Sequence, residues 1–385
     1  MELTQNQRLQ WLRLIRSENV GAQTFRLLIE RFGSAENALE ALPDLARKGG
    51  KRAIRVARLA DVEKEMALAE KTGVRFIAIS EPDYPALLAQ IDSPPPLIAV
   101  KVNVEALNRR TVAIVGSRNA SAVGVRLATL FAKALGKNGF SITSGFARGI
   151  DAAAHKASLA TGTIAVMAGG IDHIYPPEHQ QLYKEIMDQQ GVFVSEMPMG
   201  WEPRAKDFPR RNRLIAGIAL GLLVVEASLR SGSLISARYA ADSGRLVFAI
   251  PGSPLDPRAA GTNRLIKDGA SLVENADDIV ELLTPLAPEI RPDMEADLFN
   301  EKYCMNEEEL LPLICDGTRA EEDDDLSSSE RMRLYSSLSV TPVHLETLSI
   351  SADIPIPKLY LGLMELDLAG RLIRHNGGLV SLTPA

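Results

Sequence analysis

Between residues 110 and 255 the chain repeats one unit: a short apolar run, a turn rich in glycine or serine, then a helical stretch. The runs at Val112–Val115, Ser141–Thr143, Ile164–Met167, Val192–Val194, Leu222–Val225 and Leu246–Ile250 are too short for helices. They read as strands. Residues 123–136, 151–160, 179–189, 209–219 and 234–243 carry helical spacing between them. Alternation of this kind implies α/β architecture around a mainly parallel sheet, because parallel neighbours need a crossover and a helix supplies it. In such a sheet all strand-to-helix turns gather on one edge.

That edge is chemically distinctive. Val112-Ala-Ile-Val-Gly-Ser-Arg118 delivers Gly116, Ser117 and Arg118 to the first turn, and Thr143-Ser-Gly-Phe-Ala-Arg-Gly-Ile-Asp151 delivers Gly145, Phe146, Arg148 and Gly149 to the next. Ser231, Gly232 and Ser233, then Pro251-Gly252-Ser253, repeat the design. Glycine lets a ligand approach the backbone, serine adds a donor, and helix N-termini present amides to an anion. Each glycine alone could serve turn geometry only; four such turns, two with arginine, point to an anion-binding rim. A dinucleotide site is disfavoured, since neither G-x-G-x-x-G after the first strand nor a P-loop is present.

The segment Lys206-Asp-Phe208-Pro209-Arg210-Arg211-Asn212-Arg213 opens a helix with proline in its first turn. Arg211 shares a helical stripe with Ile215 and Ile218, so its guanidinium points toward the sheet. Such a charge needs a partner: a ligand phosphate at the rim, or an ion pair with Glu226 at the end of a strand. Arg210 and Arg213 fall on a neighbouring face and could follow a phosphate backbone. Asp151 and His155, one turn apart, could in principle form an acid–base pair. The simpler expectation is that Asp151 caps amides of its own turn.

Both ends differ from this middle. Residues 1–72 read as a helical module, broken at Gly21, Gly33 and Gly49-Gly50. Its Asn19-Val20-Gly21-Ala22 turn resembles helix-hairpin-helix modules and related helical ones of the SAM type. Turn amides there could face a phosphate, or the module could serve packing or bind a partner. Residues 73–285 form the α/β domain. Residues 286–328 form a linker, since residues 286–330 hold 15 acids against 3 bases, too charged to bury. Residues 329–385 read as helix, helix, helix and a hairpin at Gly377-Gly378, the order of a winged helix. Its third helix carries Lys358 but also Glu365 and Asp367, which favours contact with protein or auxiliary contact with DNA over duplex reading.

The net charge of −6 hides an uneven distribution. Residues 111–260 hold 16 Lys and Arg against 11 Asp and Glu, whereas residues 261–385 hold 10 against 24. The domain with the glycine-rich turns is therefore locally basic. No apolar stretch is long enough for a membrane span, and the Met-Glu-Leu-Thr-Gln opening lacks a basic n-region, so a cytoplasmic protein is expected. Cys304 and Cys315 are expected to be free thiols; no metal or cofactor site is expected.

Gly116-Ser-Arg118, Ser144-Gly-Phe-Ala-Arg-Gly-Ile-Asp151, Ala168-Gly-Gly-Ile-Asp172 with Tyr175-Pro176, Phe208-Pro-Arg-Arg-Asn-Arg213, Glu226-Ala-Ser-Leu-Arg-Ser-Gly-Ser233 and Pro251-Gly252 with Gly261-Thr-Asn263 follow one another over residues 110–280. In this order they resemble the successive blocks of the DNA-processing protein A (DprA, also called Smf) family. The resemblance implies an extended Rossmann-like domain that binds single-stranded DNA without base specificity. It further implies a homodimer that protects incoming DNA and loads RecA recombinase in natural transformation, with no catalytic residues. It carries Arg118, Gly145, Gly149, Lys206, Phe208, Arg211, Asn212 and Arg213 over as DNA-facing. The enzymatic alternative is a nucleotide N-glycosidase on a related fold, but Ala168-Gly-Gly-Ile-Asp172 lacks the Thr and Glu of that family's catalytic block.

Overall fold

The apolar runs become strands of a single sheet in the computed structural model. It describes residues 2–51, 53–285, 325–375 and 377–384, with backbone alone at 104 and 105. Of the expected linker, residues 286–324 lie outside the described residues, as do both cysteines. The chain divides into two units. Described residues 65–285 form the first, joined by residues 2–3; residues 4–64 form the second with those from 325 onward.

The first unit is built on β1 (Val74–Ala78), β2 (Leu97–Val102), β3 (Thr111–Val115), β4 (Ser141–Ser144), β5 (Thr163–Val166), β6 (Val192–Ser195), β7 (Gly221–Val224), β8 (Leu246–Ala249) and β9 (Ser271–Leu272). Their order is β1-β2-β6-β5-β4-β3-β7-β8-β9. From β6 to β9 every neighbouring pair is parallel, while β1 and β2 extend the sheet antiparallel at one side. All five residues of β3 are buried, as continuous apolar strands covered on both faces should be. Ala113 and Val115 pack on one face with Leu214, Ile215, Ala237 and Ala240 of helices Asp207–Ile218 and Ser233–Asp242. Val112 and Ile114 pack on the other with Phe131, Leu135 and Ala154 of helices Ala122–Lys137 and Ile150–Ser158.

Chain order fixes where a ligand can enter. Strands β3 to β6 are laid down in one direction, and β7 then returns to pair with the free side of β3. The carboxyl ends of β3 and β7 therefore flank the topological switch point, the position at which open α/β sheets form a crevice.

In the second unit, helices Gln5–Arg16, Ala22–Phe32 and Ala35–Lys48 begin at Thr4, Gly21 and Ser34. Thr4 forms a capping box with Gln7, and Gly33, with φ +74°, ends the second helix in the left-handed conformation that glycine tolerates. The expected winged helix is present as helices Ser328–Ser337, Leu345–Ala352 and Ile356–Leu368 with β10 (Val343–His344), β11 (Leu372–His375) and β12 (Leu379–Leu382). Read as separate modules in sequence, the two chain ends share one core. Leu14, Phe25, Leu28 and Leu42 pack in the same cluster as Leu348, Leu359, Leu363 and Leu368. Among the described residues no helix is long and apolar enough to cross a membrane.

Candidate nucleic-acid interface

At the switch point the turn after β3 faces the N-terminal parts of helices Asp207–Ile218 and Ser233–Asp242 across a cleft of about 560 Å³. Gly116, Ser117, Arg118, Arg211, Asn212, Ser231, Gly232 and Ser233 all line it. A smaller chamber of about 50 Å³ has Arg118, Phe208 and Arg211 in common with the cleft, and Phe146, Arg148, Met167, His173 and Tyr175 are among its other lining residues. Arg118 and Arg211 therefore border both spaces.

Arg211 is the most constrained of these groups. Its helix carries it onto the sheet-facing side, where it is only 4 % exposed. Nη1 donates to the Val166 carbonyl at 3.0 Å, while Nε is buried without a partner. Burial lowers its pKa to about 10; the Asp151 carboxylate opposes that shift and the like charge of Arg118 adds to it. The guanidinium is still charged at neutral pH. The alternative ion pair with Glu226 is absent. The Glu226 carboxylate instead accepts hydrogen bonds from the Ser121 amide at 2.9 Å and from the Ser121 hydroxyl, at the N-terminus of helix Ala122–Lys137. The protein's own carboxylate thus occupies the helix end that would otherwise receive a nucleotide phosphate.

The glycines of the second turn have specific reasons to be glycine. A Cβ at Gly145 would lie 1.8 Å from Arg211 Nη1, so only glycine admits the guanidinium. Gly149 has φ +73°, and a Cβ there would lie 2.3 Å from the Ser117 carbonyl oxygen. The first two turns are thereby locked together, with the Ile150 amide donating to Ser117 O at 3.2 Å. Asp151 accepts from the amides of Gly145 and Ala147 at 3.1 and 3.3 Å, as expected of a turn cap.

Phe208 stands beside the charges with its ring half buried. The Arg118 guanidinium lies 5.1 Å from its centroid and the Tyr175 ring 5.5 Å away. Arg118 is exposed, as is Lys206 at the cap of the same helix, and neither has a carboxylate partner among the described residues. Asn212 Nδ2 donates to the Gly232 carbonyl at 3.2 Å and ties the helix to the serine turn, whose Ser231 and Ser233 hydroxyls lie 2.7 Å apart.

Four expected contacts do not line the cleft, although Phe146 and Arg148 border the smaller chamber. The Phe146 side chain is 1 % exposed and packs edge-on against Phe193 and His179, so its ring forms core and offers no face to a base. Arg213 does not line the cleft: Nη1 donates to the Ser93 carbonyl at 2.6 Å, and Nη2 pairs with the buried Glu196 carboxylate. Arg210 binds the other side of that carboxylate at 3.0 Å. Arg148 is at the rim in an ion pair with Glu178. Glu196 arrives from the end of β6, a different element from the helix of Arg210 and Arg213 though close in number. Asn119, His173 and Tyr175 are further lining groups not expected from the sequence, although Asn119 directly follows the first glycine turn.

The acid–base pair that catalysis would need is not assembled. Asp151 is committed to its amides. His155 has no exposed surface, and its Nδ1 lies 2.7 Å from the Thr163 hydroxyl. Burial pushes its pKa down to about 3. Asp172, in the block compared with the glycosidase motif, accepts from the Gly200 amide at 2.8 Å. Cations, hydroxyls and an amide beside aromatic rings suit a phosphate backbone with unstacked bases.

Comparison with known proteins agrees with this architecture. Residues 75–284 match the family model of the DNA recombination-mediator protein A, residues 5–67 that of the DprA-like N-terminal HHH domain, and residues 318–378 that of the DprA winged helix domain. The protein Smf of Escherichia coli is 37% identical over 84% of this chain and 82% of its own length. The X-ray structure of DNA processing protein A from Streptococcus pneumoniae superposes with a TM-score of 0.60 at 34% identity, covering 73% of this chain and 98% of that one. A structure of DNA processing protein A from Helicobacter pylori, described by its single-stranded DNA binding mode, gives a TM-score of 0.51 at 27% identity over 56% of this chain and 97% of that one. The chain belongs to the DprA/Smf family of DNA-processing proteins.

Proposed function

We propose that this chain binds single-stranded DNA in the switch-point cleft, holding backbone phosphates rather than reading bases. The observation that carries this reading is the pair Arg118 and Arg211, which border the cleft beside the Phe208 ring with no salt bridge among the described residues, Asp151 being turned to its own turn amides. Guanidinium groups outside a salt bridge attract phosphates, and an adjacent aromatic ring accepts an unpaired base but not one stacked inside a duplex. The single-stranded DNA binding described for the Helicobacter pylori relative supports the same ligand.

The role is binding, not catalysis. In keeping with a recombination-mediator family, the bound strand is shielded from nucleases and passed to RecA recombinase in the cytoplasm, the step that natural transformation requires. The working form is a homodimer through the α/β domain. The sheet ends at β9, where Leu272 is half exposed. Light scattering that returns a monomer at high micromolar concentration would contradict the dimer.

The function is tested by the mobility of labelled single-stranded and duplex oligonucleotides of equal length. Retention of the single strand at protein concentrations that leave the duplex free is expected. Equal retention of both, or release of free base from nucleoside monophosphates well above buffer, would reject it.

A further inference from the structure

In a winged helix the third helix is the element that enters a duplex groove. Here that helix, Ile356–Leu368, has no exposed residue from Leu359 to Leu368. Its cover comes from the other end of the chain. Asn19 Nδ2 donates to the Leu368 carbonyl at 2.9 Å, and the Thr24 hydroxyl donates to Asp367 Oδ2 at 2.6 Å. Gly49 packs so closely that a Cβ there would lie 2.0 Å from the Glu365 carbonyl oxygen. The turn Asn19–Ala22, which in sequence could have faced a phosphate, is thus directed at the third helix instead.

We infer that the winged helix uses its recognition helix as a dock for the chain's own first fifty residues, joining both chain ends into one cooperative folding unit that does not read duplex DNA. The charges agree. Lys358 is the only cation of the helix and lies 3.7 Å from Glu330. Arg331 is committed to Glu365 and Arg374 to Asp367, at 2.8 and 3.1 Å. A helix whose single cation is already paired has little to offer phosphates. This inference is independent of the cleft: single-strand binding could fail while the docked helix stands.

Native-state hydrogen exchange on the full-length protein tests it, because residues of one cooperative unit open together. Amides of residues 22–48 and 356–368 are expected to share one opening free energy and one denaturant dependence, and Thr24→Val is expected to speed exchange in both segments equally. Unequal opening in the unmodified protein, or a Thr24→Val effect confined to residues 22–48, would overturn the inference. Two further readouts use the same full-length protein. After cleavage at a protease site inserted between residues 300 and 315, the C-terminal fragment is expected to co-elute with the rest, and Gly49→Leu is expected to release it. Immediate separation of the unsubstituted fragments would overturn the inference, as would new protection of residues 359–368 on adding a long duplex.

Discussion

Gly145→Ala perturbs the cleft without removing a charge. The new Cβ would stand 1.8 Å from Arg211 Nη1 and 2.6 Å from Cζ. Van der Waals contact begins near ~3.5 Å, so the guanidinium must retreat by roughly 1.7 Å. The sheet blocks one direction and the cleft is open in the other, so the side chain moves outward and breaks its bond to the Val166 carbonyl. A hydrogen bond from a charged group contributes about 1.5–3 kcal/mol. Losing the anchored position should therefore weaken single-strand binding by roughly tenfold to a hundredfold. It should also flatten the plot of log K against log salt by about 0.7, the value for one phosphate contact on a single strand. Fluorescence anisotropy with a labelled oligothymidine over a range of salt measures both. If Arg211 is the group displaced, Gly145→Ala costs nothing more in an Arg211→Ala background, because both changes act on the same contact. Additive losses, or an unchanged slope in Gly145→Ala alone, would refute the reasoning.

Arg213→Ala leaves the buried Glu196 carboxylate with Arg210 and removes a charged hydrogen bond, which should destabilise the fold by about 1.5–3 kcal/mol in denaturant melts while leaving the salt slope of DNA binding intact. A lost salt contact with normal stability would reverse that assignment. Replacing Phe208 by Ala removes the ring between Arg118 and Tyr175 and should cost about 1–3 kcal/mol of single-strand affinity, seen as a higher dissociation constant with little change in salt slope. His155 has its pKa depressed by burial to about 3. The unfolded state therefore binds a proton that the folded state refuses, and stability falls with pH below the ordinary histidine value of ~6.5, by about 1.4 kcal/mol per unit until the folded pKa is reached. Denaturant melts at pH 7, 6 and 5 should show the fall steepening toward this slope, and His155→Asn should reduce it, the remainder coming from His179, whose pKa burial also lowers.

Much of the α/β domain was legible because its strands are short, apolar and separated by glycine turns. Each of the six predicted runs became a strand within one or two residues of its expected bounds. The flanking strands β1, β2 and β9 were not singled out; they add to the sheet without belonging to the repeat. The buried position of Arg211 followed from its stripe with Ile215 and Ile218, and the turn residues of the cleft followed from the rule that parallel strands deliver their turns to one edge. What the sequence could not display was partnership across the fold. Glu196 reaches Arg213 from the end of another strand, and Glu226 turns to Ser121 instead of Arg211. Phe146 occupies the same turn as Gly145, yet its ring goes inward. The shared core of the chain ends was equally hidden, since Thr24 and Asp367 lie more than three hundred residues apart.

The salt dependence of single-strand binding by the unmodified protein and by Arg118→Ala, Lys206→Ala and Arg211→Ala tests the central claim most directly. Each of these cations stands in or beside the cleft without a carboxylate partner among the described residues, so each replacement should weaken binding about equally on all base sequences and lower the slope by about 0.7. Thermal stability should change little for Arg118→Ala and Lys206→Ala, whose side chains are exposed. Replacements that left the slope unchanged, with Arg211→Ala acting only through a lowered melting temperature, would contradict a phosphate-binding cleft at the switch point.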